Sequence, residues 1–462
     1  MVSESTVLVA NRGEIACRII RSARKLGIRT VAVYSECDAE SPHVNQADVA
    51  VALLGQRAAE TYLDQNRLFA IAREHGVTMV HPGYGFLAEN ADFARRCAEL
   101  GLIFVGPSPE TIASMGDKAM ARVLAANAGA KVLAGSERAS HTNPERLIEL
   151  GRRIGFPLLV KAAAGGGGIG MRLVANEAEL VAAATAASKL AEKYFGDDGF
   201  YLERYVNDAR HVEVQIFGFG DGTAIDLFDR DCSLQRRHQK IVEEAPAPDL
   251  PNEVRNEMVG AALSIARSIA YAGAGTVEFL YDPHSRACFF LEMNTRIQVE
   301  HPVTEMITGT DLVSAQLSLA MGNSPRAELE AGRNRLEGHA IEARIYAEDP
   351  TRKFQPSPGL IERLVLPEGP GIRIDSGYVA GNRVTPFYDP MVMKIAAFGV
   401  TRVDAIERLI DALDRIELTG LKTNIDFLRF LLRQPEIAAI KIHTQIIDSL
   451  VERYLVQQSV EV

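Results

Sequence analysis

Between Glu292 and Glu300 every even position carries a charged or hydrogen-bonding side chain: Glu292, Asn294, Arg296, Gln298 and Glu300. Leu291, Met293, Ile297 and Val299, on the odd positions, are apolar. A period of two marks an extended segment with one buried face. The polar face is suited to chemistry. Glu292 and Asn294 offer the oxygen ligands that Mg2+ takes, Arg296 is a planar fork for an oxyanion, and Glu300 is a candidate general base. If the whole segment were straight, its two carboxylates would lie about 25 Å apart at ~3.3 Å per residue. That is too far for one site, so the chain is expected to bend after Asn294.

Other stretches offer matching chemistry. A strand over 276–280 projects Glu278 and is joined to the strand bearing Glu292 by a short turn near Asp282 and Pro283. Adjacent strands are ~4.8 Å apart, so Glu278 and Glu292 can share a divalent ion. His211, Glu213 and Gln215 alternate with apolar residues and share one strand face. The run 229–240, with Arg230, Gln235, Arg236, Arg237, His238 and Lys240, leads into Ile241, Val242 and Pro246, which implies that it is held against the body. Lys118 opens a helix that breaks near Gly129. A lysine is out of place at the positive end of a helix unless a phosphate sits between them. Gly165, Gly166, Gly167 and Gly168 join strands over 158–161 and 171–174. Four consecutive glycines are costly to order, so this loop reads as a lid that settles onto a ligand's phosphates, with Lys161 at its mouth. It is not a Walker A loop, because no Gly-Lys-Ser/Thr follows.

These residues need a scaffold. Residues 1–112 alternate strand and helix, beginning with strands over 7–10 and 30–34 and a helix over 15–26, a doubly wound α/β pattern. The first turn, Asn11-Arg12-Gly13-Glu14, has one glycine where a dinucleotide fingerprint needs three, so a nicotinamide cofactor is not supported. The second, 81–90, holds Tyr84 between Gly83 and Gly85 and ends on Asn90, a residue suited to cap the next helix. A helix over 254–269, closed by Gly273 and Gly275, packs on a sheet. Arg344 lies in a strand over 340–346, and helix resumes near Thr401. Met393-Lys394 has the look of a biotin attachment pair, but a lysine in a strand entering a packed core is the better reading. The formal charge of −10 over 462 residues disfavours nucleic acid and anionic membrane. No stretch is long and apolar enough to span a bilayer. Five scattered cysteines without a CxxC pair, and no visible signal peptide, point to reduced thiols and a cytoplasmic protein.

Taken jointly and in order, the stretches 10–14, 81–90, 116–118, 161–171, 211–215, 230–248, 275–279, 292–305 and 338–350 resemble the biotin carboxylases, the ATP-grasp components of biotin-dependent carboxylases, over essentially the whole chain. The resemblance implies an α/β and α+β multidomain protein of ATP-grasp fold. Its parts would be a Rossmann-like pre-ATP-grasp domain (1–112), a linker helix (113–135), a mobile lid with the glycine-rich loop (136–204), the ATP-grasp catalytic domain (205–335), a biotin carboxylase C-terminal domain (336–450) and a tail (451–462).

The resemblance also implies roles. Lys118, Lys161, Gly167, Gly168, Glu203, the hinge Arg204-Tyr205-Val206, His211, Gln235, His238, Glu278 and Glu292 would bind ATP. Glu278, Glu292 and Asn294 would hold Mg2+ or Mn2+, and Lys240, Arg296, Gln298 and Val299 would hold bicarbonate. Glu300 would act as base, with Arg296 keeping it ionised, and Arg344 and Tyr84 would face biotin. The implied activity is ATP-dependent carboxylation of biotin on a biotin carboxyl carrier protein, through carboxyphosphate. The expected setting is acetyl-CoA carboxylase, with a carboxyltransferase subunit and a homodimeric arrangement. Pyruvate, propionyl-CoA or another acyl-CoA carboxylase is an alternative; an ATP-grasp ligase for another acid and a non-catalytic nucleotide-binding scaffold are others. Two positions depart from the family pattern: Ile169 replaces a basic residue after the glycines, which is expected to weaken nucleotide affinity, and Ala134 replaces a common proline.

Overall fold

The computed structural model describes residues 5–162, 171–195 and 198–460. The glycine-rich loop, with Gly167, Gly168 and Ile169, lies outside the described residues.

Five parallel strands make the first sheet, in the order Val49–Leu53, Arg29–Ser35, Thr6–Val9, Met79–His81 and Ile103–Phe104. The first strand lies beside both the second and the fourth, so the order reverses there, and turns leaving their carboxyl ends open towards the rest of the molecule. Gly83 sits in one of those turns at φ +65°, where an added Cβ would lie 2.9 Å from Asn11 Nδ2. Asn11 Nδ2 donates to the carbonyls of Pro82 and Tyr84, both at 2.7 Å, which joins the two turns. Asn90 caps the helix Ala91–Glu99, accepting from Phe93 N at 2.8 Å.

A small antiparallel sheet follows, ordered Arg172–Val174, Leu158–Ala162, Phe200–Arg204. The helices Pro144–Ile154 and Glu177–Phe195 cover one face through Leu147, Ile154, Leu158, Val160, Leu180 and Leu202. Strand alternation therefore turns Lys161 and Glu203 to the other face, where they form an ion pair.

The third sheet is antiparallel and has eight strands: Ala287–Asn294, Ala272–Asp282, Arg210–Phe219, Ala224–Arg236, Gln239–Ala245, His339–Tyr346, Met391–Gly399 and Ile372–Ser376. It runs unbroken through the central and C-terminal segments, because Gln239–Ala245 pairs with His339–Tyr346. The cationic run 229–240 is the hairpin at its middle, turning at Arg237 and His238 with φ +50° and +66°. Residues 229–236 are buried. Gly273 and Gly275 do not delay the strand to Thr276 as expected; pairing from Ala272 with Phe219 carries it past both glycines. Lys394 is 1% exposed within its strand, as a core lysine should be. Among the described residues no helix is long and apolar enough to cross a membrane. All five cysteines are free thiols.

Candidate active site

Three glutamates stand side by side on three neighbouring strands: Glu213 is in register with Glu278, and Glu278 with Glu292. Such a row repels itself unless cations are interleaved. Lys240, from the central hairpin, supplies one, with Nζ 2.7 Å from Glu213, 3.0 Å from Glu278 and 2.6 Å from Glu300. Arg230 supplies the other from below. It is fully buried, and donates to Glu213 at 2.5 Å, Gln215 at 2.6 Å, Thr304 at 2.9 Å and Thr276 at 3.0 Å. His211 Nε2 lies 3.0 Å from Glu278. Burial would depress this imidazole, but Glu278 overrides it and raises its pKa.

The strand bearing Glu292 ends at Asn294, where the bend was expected, and the chain then folds back so that Glu300 stands at the start of the helix His301–Thr308. The positive end of that helix suits a carboxylate. Burial alone would raise the pKa of Glu300; Lys240, Arg344 and Arg230 reverse this and hold it well below the ordinary range. Arg344 Nη2 is 3.0 Å from Glu300, and its Nε donates to Glu243 at 2.5 Å. Arg296, expected to keep Glu300 ionised, is not a direct partner of it, although the two charges act on each other. Arg296 Nε pairs with Glu89 at 2.8 Å, and its Nη atoms reach Asn294 at 3.0 Å and Gln298 at 3.3 Å. Arg296 bonds Gln298, and Gln298 Nε2 and Lys240 Nζ both reach Glu278 Oε1, at 3.3 and 3.0 Å, while Val299 precedes Glu300, so cationic and amide donors suited to a planar anion gather near Glu300.

Of the residues expected around a nucleotide, Lys161 and Glu203 stand on the small sheet and His211, Gln235, Glu278 and Glu292 on the large one; Gly167 and Gly168 lie outside the described residues. Lys161 faces Glu203, which Arg122 also holds at 2.8 Å, and the charge of Lys161 reaches His238, whose pKa burial and this lysine both lower. Gln235 lies at the root of the same hairpin, in register with Lys240. Lys118 is the first residue of the helix Lys118–Asn127, and its charge reaches Glu292. At the hinge, Arg204 N donates to Ala134 O at 2.8 Å and Tyr205 N to Pro157 O at 3.0 Å. The Tyr205 hydroxyl accepts from Gln445 at 2.8 Å, and Val206 is half-buried. Tyr84, in the turn after the strand Met79–His81, donates to Glu14.

Glu278 and Glu292 fit a divalent cation. Glu292 has no hydrogen-bond or ion-pair partner among the described residues, and its pKa is raised by burial and then by Glu278. An unpaired carboxylate beside another in a low-dielectric site calls for a cation. Asn294 differs from expectation: its amide nitrogen donates to Glu278 at 2.9 Å and its oxygen accepts from Arg296, so ligation by that oxygen requires the amide to turn over.

The sequence reading passed over Glu213, Arg230, Glu89 and Glu243. Glu213 was visible as the middle of an alternating polar face and Arg230 as part of the cationic run. Nothing local marks Glu89 or Glu243, because their partners lie 207 and 101 residues away.

Family models match in sequence along the chain: biotin carboxylase, N-terminal domain, over residues 3–112; carbamoyl-phosphate synthase L chain, ATP binding domain, over 117–327; and biotin carboxylase C-terminal domain over 342–449. The biotin carboxylase of Halalkalibacterium halodurans is 50% identical over 430 residues, covering 93% of this chain and 94% of its own. The mitochondrial methylcrotonoyl-CoA carboxylase subunit alpha of Mus musculus is 45% identical over 447 residues, 96% of this chain and 62% of its own. The crystal structure of the biotin carboxylase domain dimer of Hydrogenobacter thermophilus 2-oxoglutarate carboxylase, in complex with MgADP, ADP and bicarbonate, superposes with a TM-score of 0.91 at 42% identity, covering 96% of this chain and 97% of that one. The chain belongs to the biotin carboxylase family, ATP-dependent ligases that carboxylate biotin.

Proposed function

We propose that this chain transfers carboxyl from bicarbonate to biotin on a carrier protein, through carboxyphosphate, and that the cluster of residues around Glu278 and Glu300 is where it does so. The supporting observation is one buried carboxylate, Glu300, gripped by Lys240 and Arg344, with Glu278 sharing Lys240 and the unpaired Glu292 in register beside Glu278.

Lys118, Lys161, His211, Gln235, His238, Glu203 and the hinge through Val206 hold the nucleotide, and the family resemblance adds Gly167 and Gly168 as phosphate ligands. Glu278, Glu292 and Asn294 hold Mg2+, which when bound supplies positive charge to the phosphate oxygens. Bicarbonate enters among Lys240, Arg296, Gln298 and the Val299 backbone. Its negative charge competes for Lys240, which loosens the grip on Glu300 and makes that carboxylate a better base at the moment it is needed. Glu300 takes the bicarbonate proton while the bicarbonate oxygen attacks the γ-phosphorus and ADP leaves. Carboxyphosphate then breaks to CO2 and phosphate, phosphate takes the N1′ proton of biotin, and Arg344 stabilises the enolate that captures CO2. Tyr84 borders biotin.

The acceptor downstream is set by other subunits. Acetyl-CoA carboxylase is the proposed setting, and the likeness to a methylcrotonoyl-CoA carboxylase subunit keeps other acyl-CoA carboxylases as the second reading. We place the protein in the cytoplasm as a homodimer, working with a biotin carboxyl carrier protein and a carboxyltransferase. The test is ATP hydrolysis by pure protein with Mg2+, bicarbonate and free biotin. Biotin-stimulated turnover is expected, and its absence would overturn the proposal. A native pull-down that identifies the biotinylated carrier and transferase decides between the settings.

A further inference from the structure

Lys394 is a buried amine to which the proposed chemistry gives no task. It is 1% exposed, on the strand Met391–Gly399, in register with Arg344 on the neighbouring strand. The two cations hold consecutive residues of the same turn: Arg344 holds the Glu300 carboxylate at 3.0 Å, and Lys394 donates to the carbonyl of Val299. Lys394 Nζ also lies 3.2 Å from Glu14 Oε1, the oxygen that accepts from the Tyr84 hydroxyl. One ammonium therefore touches the anion-binding turn on one side and, through Glu14, the residue proposed to border biotin on the other.

The surroundings are built for this contact. Gly377 packs against the start of the helix Gly13–Lys25, where an added Cβ would come within 2.6 Å of Glu14 N, so the C-terminal segment lies directly on the backbone that carries Glu14. Glu342, buried on the strand beside Lys394, has no hydrogen-bond partner on either carboxylate oxygen among the described residues. The amine pairs with Glu14 and also bonds the Val299 carbonyl, a neutral group, so its contacts serve position as well as neutralisation. A carbonyl at that point of the turn has no helical partner of its own, so Lys394 is what fixes its direction.

We infer that Lys394 is a positioning residue: shared between the Val299 carbonyl and the Glu14 carboxylate, it sets the 296–300 turn relative to Tyr84 and so couples the bicarbonate side of the site to the biotin side. The inference rests on the proposed assignment of those two sides.

Steady-state kinetics of wild type, K394M, K394R and E14Q, with ATP, bicarbonate and biotin varied separately, test it. Wild type must first show bicarbonate-dependent, biotin-stimulated hydrolysis; failure there sinks the functional proposal and not the role of Lys394. In K394M the KM for bicarbonate and for biotin should each rise at least about tenfold while the KM for ATP stays within about twofold, and K394R should recover part of the loss. E14Q should raise the KM for biotin by about fivefold and leave that for ATP unchanged. A folded K394M with all three constants at wild-type values overturns the inference, as does a rise that includes ATP equally. If K394M does not fold, K394R and E14Q decide: a biotin-selective shift in E14Q supports the coupling, and wild-type constants in both reject it.

Discussion

Glu278 and Glu292 face each other in register on adjacent antiparallel strands, yet only Glu278 is neutralised. Lys240, His211, Asn294 and Gln298 all turn to Glu278, at 3.0, 3.0, 2.9 and 3.3 Å, whereas Glu292 has no partner among the described residues. Metal-free protein should therefore be relieved by E292Q, gaining about 1 kcal/mol from the lost repulsion. The same change should remove the tightening of ADP binding by Mg2+, about tenfold, while ADP alone binds as before. Thermal denaturation without metal and calorimetric titration of ADP with and without Mg2+ check both halves. A destabilised E292Q that keeps its Mg2+ response would show that the pair is not a cation site.

Glu300 has two direct cationic partners, Lys240 and Arg344, and replacing it should separate chemistry from nucleotide binding. In E300Q the bicarbonate-dependent ATP hydrolysis should fall by at least about a hundredfold, the usual range for losing a general base. Affinity for MgADP should stay within about threefold, since the direct partners of Glu300, Lys240, Arg344 and Cys232, are not among the residues assigned to the nucleotide. Retained turnover in E300Q would move the base elsewhere.

The parts of this site that the sequence made visible are those whose geometry is local. Alternation put Glu292 and Asn294 on one face, adjacency of strands brought Glu278 beside Glu292, and the separation of Glu292 and Glu300 required the bend that occurs after Asn294. The electrostatic wiring was not legible. Whether Arg296 or Arg344 grips Glu300 depends on how a hairpin, a turn and a strand 44 residues beyond Glu300 converge, and no periodicity encodes that. The cationic run was legible as held against the body but not as a strand, because its charges have their partners on other elements: Arg230 needs Glu213 on a strand and Thr304 on a helix, and Asp231 needs Arg210. Glycine misled at Gly273 and Gly275, where cross-strand pairing outweighs the local preference for a turn.

Glu243 makes the stability of the fold depend on pH in a defined direction. Burial pushes its carboxyl up from 4.5 to about 7, with Glu300 adding repulsion and Arg344 opposing. A folded-state pKa above the unfolded one means that the folded protein binds the extra proton between those values, so this group's contribution falls as pH rises from about 4.5 through 7. E243Q stays neutral throughout and should decline less over that window, by on the order of 2 to 3 kcal/mol. Urea midpoints at pH 5 and 7.5 for both proteins measure the difference. Parallel declines would mean that Glu243 is ionised in both states.

Asp38 and Arg12 give the opposite pH dependence. Arg12 Nε and Nη2 reach the two oxygens of Asp38 at 2.7 and 2.5 Å, Nη2 also donates to the Tyr378 hydroxyl at 3.0 Å, and the guanidinium lies 4.5 Å from the Tyr388 ring centre. The pair thus fastens the N-terminal sheet to the C-terminal segment. Burial would raise Asp38, but Arg12, then Tyr62, bring it from 3.8 down to about 2. With the folded value below the unfolded one, this stabilisation is complete above about pH 4 and is lost as pH falls towards 2, an effect of about 2 kcal/mol. R12M strands a buried carboxylate and should cost about 3 to 5 kcal/mol, whereas R12M/D38L removes both charges and should recover most of that. Denaturant titrations of the wild type, both single variants and the double variant complete the cycle; additive losses would show that the two side chains do not act as a pair.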